Sequence, residues 1–238
     1  MLPAGEDALL VRFALRADPV AMQAAARLAR RLEARPPPGV VEIVPALVSV
    51  LLRFDPARTG RCELAATALT LAEGCAGAGG DDADPARRWT IPLAFGGENG
   101  PQLAEVARMA GLSQEAAIRQ ICAPGLRVLA IGFAPGQPYI GLLPPSWDLP
   151  RMAALNPSVP AGAVVVAVRQ IVIFGTASAT GWRQVARGAF RSFQPGREPP
   201  MPLRAGDGIR LAPAAPAEIE ALAKGPDGLG GARLEVLR

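Results

Sequence analysis

The chain has 238 residues, enough for one large domain or two small ones. Half of the residues are apolar and 19% are charged, a composition typical of a soluble globular protein, and the net charge is +4. Basic residues do not cluster in runs of five and aromatic residues make up 5%, which argues against a nucleic-acid-binding protein. Because the chain contains no histidine, acid–base catalysis by an imidazole is excluded for this polypeptide.

The cysteines Cys62, Cys75 and Cys122 are odd in number and match no metal-binding motif. They predict free thiols in a reducing compartment and no metal site. The first residues are acidic where a signal peptide is basic, and no apolar run reaches the length of a membrane span. We therefore expect a cytoplasmic protein without a membrane partner.

Strand and helix patterns alternate in the first part of the chain. The predicted strands and helices are Ala8–Leu15 (strand), Val20–Glu33 (helix), Val40–Val44 and Val48–Phe54 (a hairpin), Cys62–Leu71 (helix) and Trp89–Phe95 (strand). Asp18 is predicted to cap the first helix, with Pro19 at its first position. The Gly- and Asp-rich segment Gly77–Pro85 is predicted to be a loop. The order β-α-β-β-α-β is that of a ferredoxin-like unit.

Strands dominate the second part of the chain. Two helices come first, Gln102–Gly111 and Gln114–Ile121, the second capped by Ser113. The predicted strands are Val128–Phe133, Ala163–Val168, Ile171–Phe174, Trp182–Ala186 and Gly208–Ala212, with a tight turn at Arg169–Gln170 and a short helix at Pro213–Leu222. Strands that follow one another without helices favour a β-barrel or sandwich. We predict an α+β chain with domains at residues 1–88 and 89–238.

The stretch from Gly132 to Arg187 is rich in Gly, Pro, aromatic and Arg residues, as functional loops often are. It contains GFAPGQPYIGLL, then LPR, then VPAGAVVVAVRQIVIFG, then ATGWRQVARGA. Taken singly, each segment is explained equally well as a turn, a strand edge or a loop that closes a barrel.

Together and in this order, these segments resemble the carboxyltransferase-type family that includes the B-type subunit of 5-oxoprolinase, allophanate hydrolase subunit 1 and sporulation kinase-inhibitor proteins. The family pattern is GF-x-PG-F-PYLGGL, TPR, VPAGSVGIAG-x-Q-x-GIYP and PGGW-x-x-IGRTP. Upstream, VEIVPALVSVLLRFDP and IPLAFGGENGPQLAEVARMAGLS resemble family motifs, as does LRAGDGIRLAP downstream. The resemblance covers about residues 6 to 222. It implies an N-terminal ferredoxin-like domain followed by a cyclophilin-like β-barrel.

The chain departs from the family pattern at several motif positions. A His that usually precedes the GF strand is absent, with Ile121 or Cys122 near its place. The other departures are Gln102 for Asp, Gln137 for an aromatic residue, Leu142, Val165 and Val168 for Gly, and Ala179–Thr180 for Pro-Gly. Val in place of Gly adds a side chain where the backbone would otherwise approach a ligand or adopt a positive φ. Either a changed substrate preference or a loss of chemistry accounts for these departures.

Matching the family motifs gives a set of candidate site residues. The candidate catalytic residues are Glu98 as a base or orienting group, Tyr139 for its phenol, and Arg187 for binding a carboxylate or phosphate. The candidate substrate-binding residues are Pro135, Gly136, Pro138, Gly141, Arg151, Pro160, Ala161, Gly162, Gln170, Gly181 and Trp182. A solvated arginine, a loop carboxylate, a hairpin turn at Gln170 and core packing of Tyr139 or Trp182 remain the structural alternatives. Arg187→Ala is predicted to abolish activity and leave the fold intact.

The resemblance implies one subunit of an ATP-dependent 5-oxoprolinase, which opens 5-oxoproline to glutamate. Its implied partners are a second carboxyltransferase-type subunit, C-like, and a lactam-handling A-like subunit. The chain has no Walker-type phosphate loop, so any ATP site is non-standard or shared with a partner. The alternatives are a binding or regulatory protein of the kinase-inhibitor kind, and an allophanate hydrolase or urea carboxylase-type subunit.

Overall fold

The computed structural model describes residues 1–76 and 85–237. By its internal contacts the chain divides into two units, Met1–Asp84 and Pro85–Arg238. The division lies four residues before the domain boundary expected from the sequence, which falls after residue 88. Residues 77–84, which make up most of the predicted loop Gly77–Pro85, lie outside the described residues.

The first unit is a four-stranded antiparallel sheet with two helices packed against it. Its elements are β1 (Leu2–Pro3), β2 (Ala8–Arg12), α1 (Pro19–Ala34), β3 (Val40–Pro45), β4 (Ser49–Phe54) and α2 (Arg61–Ala76). The strand order is β1-β2-β4-β3. Its core is formed by apolar residues of both layers, among them Leu28, Leu32 and Leu52, each 0% exposed.

Local signals set the ends of the first helix. The Asp18 carboxylate accepts a hydrogen bond from the Ala21 backbone N–H at 2.9 Å, and Pro19 occupies the first turn. The predicted cap is therefore confirmed. The same holds for Ser113, whose hydroxyl accepts from the Ala116 N–H at 3.2 Å.

One strand of the predicted β-α-β-β-α-β order belongs elsewhere. Trp89–Phe95 pairs with strands of the second unit and is absent from the first sheet. In the first unit, β1 occupies the edge beside β2, where the last strand of a ferredoxin-like unit would lie. Periodicity predicts that a segment is a strand, but it does not predict which sheet the strand joins.

The second unit is built on a closed seven-stranded barrel, which confirms the expected α+β chain with a β-barrel domain. Its elements are β5 (Arg87–Phe95), α3 (Leu103–Met109), α4 (Gln114–Ile121), β6 (Leu126–Ile131), β7 (Pro138–Gly141), β8 (Asn156–Val159), β9 (Ala163–Ala167), β10 (Gln170–Ile173), β11 (Ser178–Thr180), β12 (Arg183–Arg187), β13 (Gly208–Pro213), α5 (Pro216–Leu222) and β14 (Arg233–Val236). Around the barrel the order is β12-β9-β10-β7-β6-β13-β5, and β5 closes it against β12. β14 pairs with β5, while β8 and β11 form a separate two-stranded sheet.

Side chains of the barrel strands alternate between two hydrophobic clusters. In β9, Val164 and Val166 belong to the main core of the barrel, whereas Val165 belongs to a second, smaller cluster. In β10, Ile171 and Ile173 belong to the main core and Val172 to the smaller cluster. The smaller cluster therefore lies on the outer face of these strands.

The hairpin between β9 and β10 turns one residue earlier than predicted. Ala167 pairs with Gln170, so Val168 and Arg169 form the two-residue loop. Both have a positive φ, 44° and 64°, as a type I′ turn requires. Gln170 belongs to β10, and the predicted turn at Arg169–Gln170 is wrong by one position.

The AGD segment that precedes β13 has a structural role. Arg87 Nη2 lies 3.2 Å from Asp207 Oδ2, which also accepts from the Arg204 backbone N–H at 2.9 Å. Burial raises the pKa of the Asp207 carboxyl. This ion pair joins the start of β13 to the start of its neighbour β5.

Among the described residues, no helix has both the length and the apolar character needed to cross a membrane.

Candidate functional site

A cavity of about 250 Å³ lies over the smaller hydrophobic cluster on the outer face of the barrel. Strands β7 and β10 supply Tyr139 and Val172, and Phe174 follows β10. The opposite side comes from the segment before β8 and from β11 with the residues after it. The remaining lining residues are Phe133, Gln137, Arg151, Met152, Leu155, Ala179, Thr180, Gly181 and Trp182. The site is thus concave and mostly apolar, as small-molecule sites usually are.

The loop between β6 and β7 forms one end of the pocket. Gln137 N donates to Ala134 O at 3.1 Å, and Gly132 N donates to Gln137 O at 3.1 Å, so the loop closes on itself. Within it Phe133 has a φ of 69° and is 85% exposed at the rim of the pocket. Gln137, by contrast, is 3% exposed and lines the pocket.

Three side chains from separate elements meet at the pocket wall. The rings of Tyr139 and Trp182 contact edge to face, with centroids 6.1 Å apart. The Arg151 guanidinium lies over the Trp182 ring, with 5.6 Å between its Cζ atom and the ring centroid. This stacking holds the cation at the mouth of an apolar pocket.

Polar groups at the pocket are few. Among its described lining residues Arg151 is the single charged side chain, and none is a carboxylate. The Thr180 hydroxyl accepts from the Trp182 backbone N–H at 3.1 Å, which leaves its own proton to be donated. Tyr139 adds a phenol, so the described lining offers one cation, one amide and two hydroxyls against apolar walls, and neither a carboxylate nor an imidazole.

Gln102 fixes the frame behind the pocket. Its Oε1 accepts from the Gln184 backbone N–H at 2.7 Å and from Asn156 Nδ2 at 3.3 Å, and its Nε2 lies 3.1 Å from the sulfur of Met152. Met152 N in turn donates to Gly181 O at 2.7 Å. The amide that replaces the family's Asp thus joins α3 to the pocket wall, and its role is structural.

The structure brings together four of the residues singled out by the sequence: Tyr139, Arg151, Gly181 and Trp182 all line the pocket. The other candidates lie elsewhere among the described residues: Glu98, Pro135, Gly136, Pro138, Gly141, Pro160, Ala161, Gly162, Gln170 and Arg187. Their proposed roles in binding or catalysis stay predictions.

The two candidate catalytic residues outside the pocket are both exposed. Glu98 lies in a 3-10 turn at Gly97–Asn99. Arg187 is the last residue of β12, and its Nε donates to Ala161 O at 3.3 Å. The Arg187→Ala variant remains the test of its predicted role.

Two of the candidate glycines have a backbone reason for being glycine. A Cβ at Gly162 would lie 2.0 Å from Gly188 O, and one at Gly136 would lie 2.2 Å from Ser192 O. Both also have a positive φ, of 80° and 68°. Close approach of two chain segments explains these glycines without a ligand.

Sequence reasoning missed most of the apolar lining. The stretch Pro138–Gly141, treated as part of a loop, is strand β7, and its short length gave no periodic signal. Met152 and Leu155 lie in a segment without motif or periodicity. For Gln137, the sequence signal of a place in the site is its departure from the aromatic residue of the family pattern.

Two other departures from the family pattern lie away from the pocket lining. Val165 is 0% exposed and packs in the cluster beneath the pocket, where it pairs with Val172. Val168 forms the turn between β9 and β10. The positive φ expected where the family has Gly is present at Val168, at 44°, whereas neither valine belongs to the described pocket lining.

Comparison with known proteins agrees with the family resemblance found in the sequence. A family model described as the carboxyltransferase domain, subdomain C and D, matches residues 1–203. The chain is 29% identical to the B-type subunit of the Bacillus subtilis (strain 168) 5-oxoprolinase over 222 residues, which cover 87% of this chain and 89% of that protein.

Two solved structures share the fold. The TTHA0988 structure is 35% identical with a TM-score of 0.70, and the match covers 87% of this chain and 40% of that one. The chain thus spans well under half of that protein. The K. lactis urea amidolyase structure has a TM-score of 0.77 over 98% of this chain and 16% of its own, at 17% identity. At that identity the likeness concerns the fold alone.

Proposed function

Since the chain belongs to the carboxyltransferase domain C and D family, we propose that it is the B-type subunit of an ATP-dependent 5-oxoprolinase. The name of its Bacillus subtilis relative supports this proposal. The reaction opens the lactam of 5-oxoproline: water adds to the carbonyl carbon, the C–N bond breaks, and the released amine takes a proton to give glutamate.

The observation that carries the proposal is one arginine at the mouth of an apolar pocket. 5-Oxoproline is a five-membered lactam. Two methylene carbons and one methine carbon form its apolar edge, and the methine carbon carries a carboxylate. Arg151 would hold the carboxylate by charge-assisted hydrogen bonds. The ring would pack against Val172, Phe174 and Trp182, which line the pocket and exclude water.

In this account the pocket binds and orients the substrate, and the catalytic role of Tyr139, which lines it, stays a prediction. The lining contains neither carboxylate nor, in a chain without histidine, imidazole. Groups that activate water and protonate the amine would come from a second subunit. The active site is then composite, with this chain supplying the pocket.

The pocket does not fit ATP by itself. A triphosphate carries several negative charges and is usually held by a glycine-rich backbone loop with a lysine, and the lining offers a single guanidinium. We therefore assign no ATP contact to this pocket. The ATP requirement is proposed for the complex.

The exposed rim supports a partner at this site. Phe133 and Leu155 are 85% and 65% exposed beside the pocket. Exposed apolar groups around a concave site are typical of an interaction surface. We propose that the C-like carboxyltransferase-type subunit covers this rim, and that an A-like subunit completes the enzyme.

Coexpression tests the proposal. The chain is coexpressed with C-like and A-like subunits, and the purified complex is assayed for glutamate release from 5-oxoproline with and without ATP. Release that depends on ATP supports the proposal. A stable complex that releases no glutamate contradicts it, and a chain that forms no complex favours a regulatory protein of the kinase-inhibitor kind.

A further inference from the structure

Gln137 is a buried amide that the fold does not use. The residue is 3% exposed and lines the pocket. Its backbone N–H and C=O are both engaged in the loop, with Ala134 and Gly132. Within residues 1–76 and 85–237 its side-chain amide has no hydrogen-bond partner, yet its polar atoms are not among those sealed from solvent, so the amide is open to the pocket. A ligand that enters the pocket and covers this amide must satisfy its donors and its acceptor, or the amide loses its contact with water without compensation.

The chemistry of a glutamine side chain restricts the matching ligand. Its amide presents one acceptor and two donors in a plane, with the carbonyl oxygen beside an N–H. A partner that satisfies both must itself present an N–H and a C=O on the same edge. A trans peptide bond points these groups in opposite directions, so it satisfies one of them. Lactams, cyclic ureides and primary amides present both.

We propose that Gln137 determines the specificity of this pocket: it selects compact anions that carry a cis-amide edge, and Arg151 holds their anionic group. The assignment deepens the proposed function, on which its link to the 5-oxoprolinase reaction rests. The Thr180 hydroxyl lines the same pocket and keeps a proton that it can donate to a ligand. Gln137 acts here in binding, and the reacting bond is left to the partner's groups.

Binding to the full-length chain tests the assignment without the complex. The indole N–H signal of Trp182, which lines the pocket, is followed by NMR during titration with three probes. They are 5-oxoproline, the cyclic ureide 2-oxoimidazolidine-4-carboxylate, and cyclopentanecarboxylate, which keeps the ring and the anion but lacks the amide. We expect the first two to bind at least about tenfold more tightly than the third, the range of one or two hydrogen bonds to an otherwise unpaired amide.

Variants separate the role of Gln137 from general damage. In Gln137→Leu and Gln137→Met the preference for the cis-amide probes should fall to within about twofold, with the affinity for cyclopentanecarboxylate retained. Gln114→Leu, the same change at an exposed position outside the pocket, should keep the preference. Retained affinity for cyclopentanecarboxylate shows that a variant is folded. A preference that survives both Gln137 variants, or a wild-type chain that binds the three probes equally, overturns the assignment.

Failure of this assignment differs from failure of the proposed function. If the complex releases glutamate with wild-type KM in Gln137→Leu, the function stands and the role of Gln137 is wrong. If the chain binds the ureide through Gln137 but the complex does not hydrolyse 5-oxoproline, the role of Gln137 stands and the proposed reaction is wrong.

Discussion

The Arg151 guanidinium stacks over the Trp182 ring, with its Cζ atom 5.6 Å from the ring centroid. Arg151 comes from the irregular segment before β8 and Trp182 from the residues between β11 and β12. The contact fixes a cation beside the apolar floor of the pocket. Under the proposed function, this cation binds the carboxylate of the substrate.

Arg151→Ala should weaken substrate binding and leave the fold intact. A hydrogen bond to a charged group contributes about 1.5–3 kcal/mol, which predicts a rise in KM for 5-oxoproline of about 10- to 100-fold. Arg151 is exposed, so losing its stacking on the Trp182 ring should cost about 1 kcal/mol of stability or less. Steady-state glutamate release by the complex measures the change in KM. Arg119→Ala, an exposed arginine on α4, is the matched control, and an equal KM in both variants would remove Arg151 from the site.

Gly162→Ala should lower the stability of the protein, whereas Gly181→Ala should narrow the pocket. A Cβ at Gly162 would lie 2.0 Å from Gly188 O at a φ of 80°, so this variant should lose at least about 3 kcal/mol of stability. At Gly181 the nearest atoms are 3.4 Å away, in Leu155 and Met152, so the protein should remain stable while the pocket narrows. Urea unfolding gives the stabilities, and probe binding gives the pocket effect. Equal stability losses would show that the close approach at Gly162 is not the reason for its glycine.

Val165→Gly and Val168→Gly should differ in their effect on stability. Val165 is 0% exposed, so losing its side chain should cost about 2–4 kcal/mol. Val168 has a φ of 44°, which disfavours a β-branched residue, and Gly should change stability there by about 1 kcal/mol or less. The three tryptophans of the chain, Trp89, Trp147 and Trp182, all lie in the second unit, so their fluorescence during urea unfolding reports on both variants. A large loss in Val168→Gly would contradict the backbone argument.

The cysteines should differ in reactivity. Cys62 is exposed and Cys75 is 0% exposed, whereas burial raises the pKa of the Cys122 thiol to about 11. At neutral pH a thiol reagent should therefore modify Cys62 rapidly in the folded protein and the other two after unfolding. Modification of Cys122 should accelerate as the pH approaches 11, since the thiolate is the reactive form. Intact-mass analysis counts the labelled thiols, and rapid labelling that survives in Cys62→Ala would contradict the assignment.

Much of the fold was predictable because its signals are local. The caps at Asp18 and Ser113, the hairpin around Val40–Pro45 and the succession of strands after residue 125 follow from residue type and periodicity. The sheet that Trp89–Phe95 joins was not predictable, because this strand pairs with residues more than a hundred positions away, at Gly208–Pro213. The very short β1 carries too few residues for a pattern.

The candidate site was predictable in part. Motifs placed Tyr139, Arg151, Gly181 and Trp182 in one stretch, and the fold brings them to one pocket. The same motifs also placed Gly136 and Gly162 there, since a glycine needed for a close approach looks identical in sequence to one that makes room for a ligand. Met152 and Leu155 reach the pocket through the path of an irregular segment, which no periodic pattern encodes.

The most direct test of the proposed function compares two purified preparations of the A-like and C-like subunits, one with this chain and one without it. Glutamate release from 5-oxoproline is measured in both at saturating ATP. The account predicts ATP-dependent release in the preparation that contains the chain and none above background in the other. Equal release in both, or none in a complex shown to contain all the subunits, would contradict it.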